Sequence, residues 1–196
     1  MEKGICERCG KPGFGMTVLT YRNNNQETIC TDCYNKEMAE YYGIEDFNDF
    51  IKTYSAIDAE GVSHTFDINK RIMGNGVFWE ALEVNDGKYN GFQFNVDTEM
   101  DGDQHTAVQK LYDKIHDGLK KKYLEVKSIN GHKVYSISGD EIAGRIEWDD
   151  TKPSEHLPIF IIDGKRYDLY ELGKILALRE GFNFKLMIYD PTEDVE

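Results

Sequence analysis

The sequence predicts an α+β protein: a small N-terminal four-cysteine module, followed by a mainly antiparallel sheet with two packed helices. Three observations carry this expectation. Four cysteines fall as two C-x2-C pairs, Cys6/Cys9 and Cys30/Cys33, near the start of the chain. Beyond residue 57, stretches that alternate apolar and polar residues are separated by turn residues, as half-buried strands are. Two other stretches repeat apolar residues at three- and four-residue steps, the signature of amphipathic helices. With 196 residues the chain can hold one ordinary domain and a small appendage.

The cysteine pairs come first. Two residues between thiols let both sulfurs face one ion from a tight turn, and two such turns complete a tetrahedron. Gly10, directly after the first pair, allows the positive φ that such a turn needs. Between the pairs, "MTVLTYRNNNQETI" predicts a hairpin with Asn23–Asn25 at its tip. After Cys33, "YNKEMAEYYG" predicts a short helix with Tyr34, Met38 and Tyr41 or Tyr42 near one face, stopped at Gly43. Disulfides fit a reducing compartment poorly, and a redox pair would require a βαβ context that is missing here. The spacing therefore favours Zn2+, one per chain. Four thiolates fill its shell and leave no position for water, so the metal is structural rather than catalytic. A segment of about 40 residues rarely folds alone, whereas structural zinc contributes about 10–16 kcal/mol. Arg8, Lys11 and a helix N-terminus near Cys33 are expected to offset the site's negative charge.

Knuckle, hairpin, second pair and helix together resemble the treble-clef family of zinc fingers over residues 5–42. The resemblance implies Cys6, Cys9, Cys30 and Cys33 as ligands of a structural metal, and it carries no single function. The whole chain is also similar to uncharacterised bacterial proteins with a cysteine-rich head on an α+β body. That similarity rests on the head and on stretches such as "ALEVNDG" and "FNFKLMIYD", and it implies no activity.

The expected organisation is a zinc-binding module over 1–43, a linker over 44–56, an α+β domain over 57–190 and an acidic tail over 191–196. The linker is polar and acidic, with a helical turn at Phe47–Ile51. "HTFDINKRI" places Phe66, Ile68, Lys70 and Ile72 on one side of a strand. "VFWEALEV" continues as a strand, "NDGKYNG" turns, and "FQFNV" alternates Phe92, Phe94 and Val96. Val108, Leu111, Tyr112, Ile115, Leu119 and Tyr123 predict an amphipathic helix over about 105–124. Asn130-Gly131 and Asp163-Gly164 mark tight hairpins, and "EIAGRIEW" reads as a strand. Asp168 and Glu171 form a capping box that opens the helix "LYELGKILALRE", with Gly181 ending it. "FNFKLMIY" closes the domain as a strand.

Composition narrows the function. No run of about 18 apolar residues exists and the opening residues lack a secretory pattern, so a cytoplasmic protein without a membrane span is expected. A net charge of −13 opposes broad nucleic-acid affinity. Only residues 105–127 are locally basic, with six basic against three acidic side chains. There Lys120, Lys121 and Lys122, with Lys110 and Lys114, could touch phosphates while Tyr112 and Tyr123 stack on bases. The preferred reading is a solvated helix end whose tyrosines belong to the apolar stripe.

"DTEMDGDQH" puts Asp97, Glu99, Asp101 and Gly102 at the first positions of a calcium loop, but the bidentate glutamate is missing at Val108. A turn in which Asp101 or Asp103 caps the next helix fits better. Asp97–His105 could also hold a divalent ion for hydrolysis, though no second cluster supports this. His64, His116, His132 and His156 read as surface or satisfied structural residues. The leading reading is a non-enzymatic zinc protein whose finger and sheet contact a protein partner. Nucleic-acid association is the alternative and a metal-dependent hydrolase the third. Partner and oligomeric state are not specified by the sequence.

Overall fold

The computed structural model describes residues 4–13, 16–45, 47, 49–74, 76–149, 151–152 and 156–193. Two short antiparallel pairs open the chain: β1 (Gly4–Ile5) with β2 (Pro12–Gly13), and β3 (Thr17–Thr20) with β4 (Gln26–Ile29). The second is the expected hairpin. Asn24 at its tip takes a φ of 62°, and the Tyr21 N–H donates to the Asn25 carbonyl at 2.9 Å. Helix α1 (Thr31–Tyr42) follows at once and ends where expected, at Gly43, whose φ is 69°. Of the face predicted, Met38 packs against the main core and Tyr34 is half-buried. Asn35 and Ala39 are buried, while Tyr41 is 79% exposed. The helix lies against a strand, where a small residue and a hydrogen-bonding one fit more closely than tyrosines.

Strands β5 (Thr53–Ile57), β6 (Ser63–Met73), β7 (Gly76–Asn85) and β8 (Lys88–Glu99) form an antiparallel meander in chain order. Phe66, Ile68, Lys70 and Ile72 are all buried on one side of β6, as their alternation requires. Val77, Trp79 and Ala81 of β7 continue that face, and α2 (Gln104–Lys120) covers it with Ala107, Leu111, Ile115 and Leu119. Asp103 is the helix N-cap: its Oδ1 accepts the His105 N–H at 3.0 Å and its Oδ2 accepts the Thr106 hydroxyl at 2.6 Å.

Residues 44–56 are not a linker. Phe47 and Ala56 are buried in the main core, Thr53 onward is β5, and the Phe50 ring meets Trp79 edge-on at 5.2 Å. Of the turn expected at Phe47–Ile51, Phe47 lies in a turn and Phe50 in a bend, and Asn48 lies outside the described residues. The inward residues Ile44, Phe47 and Phe50 are spaced among acidic ones, so the apolar signal is diluted while the packing remains.

A second core lies in the remaining segment. Strands β9 (Leu124–Ile129) and β10 (His132–Ile137) form one hairpin, and β11 (Arg145–Trp148), β12 (Pro158–Ile162) and β13 (Lys165–Asp168) form an antiparallel sheet. "EIAGRIEW" is thus a strand only over its last four residues. Both predicted hairpin turns have two consecutive residues at positive φ: Asn130 and Gly131 at 53° and 80°, Asp163 and Gly164 at 50° and 69°. Helix α3 (Leu169–Ala177) opens with the predicted capping box. The Glu171 N–H donates to Asp168 Oδ1 at 2.7 Å, and the Asp168 N–H donates to Glu171 Oε2 at 3.0 Å. Leu124, Ile162, Tyr167 and Ile175 are the buried centre of this part. The Asp163 carboxylate ties the β12–β13 turn to the start of β9 by accepting the N–H groups of Tyr123 and Leu124 at 3.0 and 2.8 Å.

The protein is therefore α+β, with mostly antiparallel sheets and three helices among the described residues. Two corrections remain. The body strands divide between separate sheets rather than one, because two cores of different composition form. "FNFKLMIY" joins no sheet; residues 182–190 continue without helix, turn or bend. Its alternation specifies a strand, but among the described residues no strand pairs with it. The expected acidic tail is described only as far as residue 193.

Candidate metal centre

The knuckle that carries Cys6 and Cys9 is held by backbone bonds. The Cys6 N–H donates to the Lys11 carbonyl at 3.0 Å, and the Gly10 N–H donates to the Cys6 carbonyl at 2.8 Å, with Gly10 at φ 72°. The Glu7 N–H donates to the Thr28 carbonyl at 2.9 Å, and the Glu7 carboxylate accepts the Thr28 N–H. These bonds tie the knuckle to β4, which leads directly into the second pair. Cys30 is the N-cap of α1 and Cys33 lies in its first turn.

The four sulfurs all lie within 4.8 Å of one another, and Cys9 and Cys30 are 3.7 Å apart. Cys6 is buried and Cys9 exposed, with the other two between. The arrangement is compatible with a metal site. Among the described residues, no other group of three or more Cys, His, Asp or Glu side chains gathers its ligand atoms in this way.

Electrostatics agree with that chemistry. Burial raises the Cys6 pKa, but the backbone N–H groups of Cys30, Cys9 and Arg8 outweigh it and bring the thiol down to about 6. Burial raises Cys30, and burial together with the neighbouring sulfurs pushes Cys33 up to about 12. One sulfur ionises readily while its neighbours resist a second and third negative charge. Four thiolates at this spacing need a cation, and metal binding would displace the remaining protons.

Arg8 does not serve as the expected counter-charge. Its guanidinium is held by Glu27 at 2.6 Å and Glu37 at 2.7 Å, and it donates to the Tyr21 hydroxyl at 2.9 Å. Its charge is already matched, and its role is to join the hairpin to α1. The helix N-terminus is placed as expected, with Cys30 capping it.

The module is also locked to the sheet. Beyond Asp67, β6 has no β5 partner on its outer edge. Asn35, 1% exposed, occupies that place: its Nδ2 donates to the Lys70 carbonyl at 2.5 Å and its Oδ1 accepts the Ile72 N–H at 3.3 Å. One side-chain amide thus supplies the donor and acceptor that a neighbouring strand would. Arg71 reaches across to the Thr17 hydroxyl at 2.8 Å, and the Tyr42 hydroxyl donates to the Gly74 carbonyl at 3.1 Å. Lys70 itself is buried with Nζ 3.9 Å from the Phe47 ring centre and 4.9 Å from that of Trp79, and it donates to the Phe47 carbonyl at 3.3 Å. Burial, then the charge of Lys52, lowers its pKa to about 8.

The other sequence candidates are not assembled into sites. Asp97, Glu99, Asp101 and His105 are exposed and Asp103 is committed to its cap, so the acidic stretch gathers no metal-ligand set. Lys120, Lys121 and Lys122 pair with Asp117, Glu141 and Glu60. Tyr112 stacks on Tyr54 at 4.1 Å within the fold, and the Tyr54 hydroxyl meets His116 Nε2 at 2.8 Å. His64 lies between Glu83 at 2.6 Å and Asp58 at 3.3 Å, a pairing that sequence spacing did not reveal. Asn35 and the aromatic surroundings of Lys70 were likewise missed. The buried lysine in "FDINKRI" was the available signal.

Three family models match the chain in succession. Residues 5–45 match a domain of unknown function, DUF7685; residues 48–120 match DUF7686; and residues 123–193 match DUF7713, both of the same description. No curated protein and no solved structure matches the chain. No helix among the described residues is long and apolar enough to cross a membrane.

Proposed function

We propose that the chain is a non-enzymatic zinc-binding protein of reducing, intracellular surroundings. Its treble-clef-like head holds one structural Zn2+ on Cys6, Cys9, Cys30 and Cys33, and head and sheet together present a surface to a protein partner. The gathering of the four sulfurs carries this reading. Zn–S bonds of about 2.3 Å in a tetrahedron place sulfurs about 3.8 Å apart, and Cys9 and Cys30 lie 3.7 Å apart. Zn2+ would supply the charge that lets all four thiols ionise, and the α1 N-terminus would add to it. Ile5, Val18 and Tyr41 of the head are exposed, which supports a protein contact there. The pairing of Lys120–Lys122 with carboxylates gives the nucleic-acid reading no support.

Metal analysis of the purified chain tests the proposal. It should contain one zinc per chain, and Cys30→Ser should lower this at least tenfold and reduce the melting temperature of the body as well as the head. A chain that binds no zinc when refolded with it, or a cobalt-substituted form whose spectrum lacks four thiolate ligands, would refute the assignment.

A further inference from the structure

A cavity of about 410 Å3 opens where the β9–β10 hairpin, β13 and the β5–β6 turn meet. That volume suits a small molecule. Its apolar lining follows from the hairpin register. Val126 pairs with Tyr135 and Leu124 with Ile137, so these side chains share one face. Leu124 is buried in the second core, whereas Val126, two residues on, is 48% exposed at the cavity. Tyr167 of β13 adds a second aromatic ring, edge-on to that of Tyr135 at 5.7 Å.

The polar groups of the lining divide into engaged acceptors and free donors. Glu60 pairs with Lys122, and Glu125 holds Lys127 at 2.7 Å and accepts the Ser136 hydroxyl at 3.1 Å. Asp163 takes the N–H groups of Tyr123 and Leu124. Among the described residues, the Tyr135 and Tyr167 hydroxyls have no hydrogen-bond partner and Lys165 has no ion pair. Tyr167 is only 6% exposed, yet its hydroxyl is not sealed from solvent. Burial, then the neighbouring Tyr135 and Asp163, pushes its pKa up to about 12, so the hydroxyl stays a donor. A hydroxyl this enclosed is costly to leave unmatched.

We propose that the cavity binds a small monocarboxylate with an apolar body. Its carboxylate meets the Tyr135 and Tyr167 hydroxyls and the Lys165 ammonium, and its body lies on Leu124 and Val126. The free groups select that class. Three donors call for an acceptor, and hydrogen bonds to a charged acceptor are the stronger kind. One unmatched ammonium balances one negative charge. A phosphate dianion would set a second, unbalanced charge beside Glu125 and Asp163. An organic cation would find each carboxylate of the lining engaged and Lys165 opposing it. The site uses none of the cysteine sulfurs and stands whether or not they hold zinc.

Titration of the full chain with benzoate at neutral pH, followed by amide chemical shifts, tests the proposal. Saturable shifts should gather around Val126, Tyr135 and Lys165, with a Kd of about 1 mM or below. Benzyl alcohol and benzylamine carry the same ring without the negative charge and should bind at least about tenfold more weakly. Inorganic phosphate should shift none of these amides to saturation. Tyr167→Phe and Lys165→Met should each weaken benzoate about tenfold while leaving the circular dichroism unchanged. Absence of saturable shifts up to about 20 mM benzoate, or benzylamine or phosphate binding as tightly as benzoate, overturns the proposal. So does benzoate binding that survives both Y167F and K165M.

Discussion

Replacing Asn35 with alanine should destabilise the whole molecule, although the residue lies in the head and is not one of the four clustered cysteines. The side chain is buried and satisfies two backbone groups of β6, the Lys70 carbonyl and the Ile72 N–H. Alanine leaves both without these bonds in a place that water does not reach. A buried polar group that loses its partner costs about 1–3 kcal/mol, so two give about 2–6 kcal/mol. Removing the amide also leaves a small void, which adds to the loss rather than offsetting it. Against a typical total of about 5–15 kcal/mol this is a large fraction. For a chain of this size it corresponds to a fall in melting temperature of about 5–15 °C. Denaturant unfolding gives the energy, and native-state hydrogen exchange gives the location, because the Ile72 amide should lose protection more than the amides of α2. A cost below about 1 kcal/mol, or unchanged protection at Ile72, would show that the amide does not complete the edge of β6.

Lys70 and Asp103 give two pH-dependent expectations. The folded-state pKa of Lys70, about 8, lies below the ordinary lysine value of about 10.4, so the unfolded chain binds more protons between them. Stability of the native protein relative to Lys70→Met should rise with pH across that window by up to about 3 kcal/mol, read by urea unfolding at both ends; a flat difference refutes the shift. The Asp103 pKa is lowered by the Thr106 hydroxyl and by the His105 N–H. Its capping contribution is therefore present above the unfolded value of about 3.9 and is lost as pH falls through the folded value. Asp103→Ala should lower the melting temperature by a few degrees at pH 7, with the gap closing at low pH; a gap that persists in acid would place the effect elsewhere.

Local rules were legible where the residues concerned are neighbours in sequence. The Asp168–Glu171 capping box, the two Xaa-Gly turns and the C-x2-C pairs depend on spacings of a few residues, and all take the expected local form. The buried side of β6 followed from alternation, including the unusual Lys70. Three features were not legible because their partners are remote. Asn35 reads as an ordinary polar helix residue until β6, some 35 positions later, presents an unpaired edge. Arg8 lies beside Cys9 in sequence, yet its charge goes to Glu27 and Glu37. The arm at 182–190 has a strand's pattern, but a pattern specifies side-chain faces and says nothing about which strand lies alongside. The cluster itself was visible in the cysteine spacing, whereas its attachment to the sheet was not.

The family models divide the chain near residue 46, as though a detachable cassette ended there. The Asn35 amide crosses that division, and Ala39 packs in the same core as Phe66 and Trp79. A gene fusion that moved residues 5–45 to another host would carry an amide with no strand to seal. The recipient body left behind would have a raw sheet margin ready to stick to its neighbours. The two segments are fitted to each other, so an exchange of either should succeed only when both halves of that seam travel together.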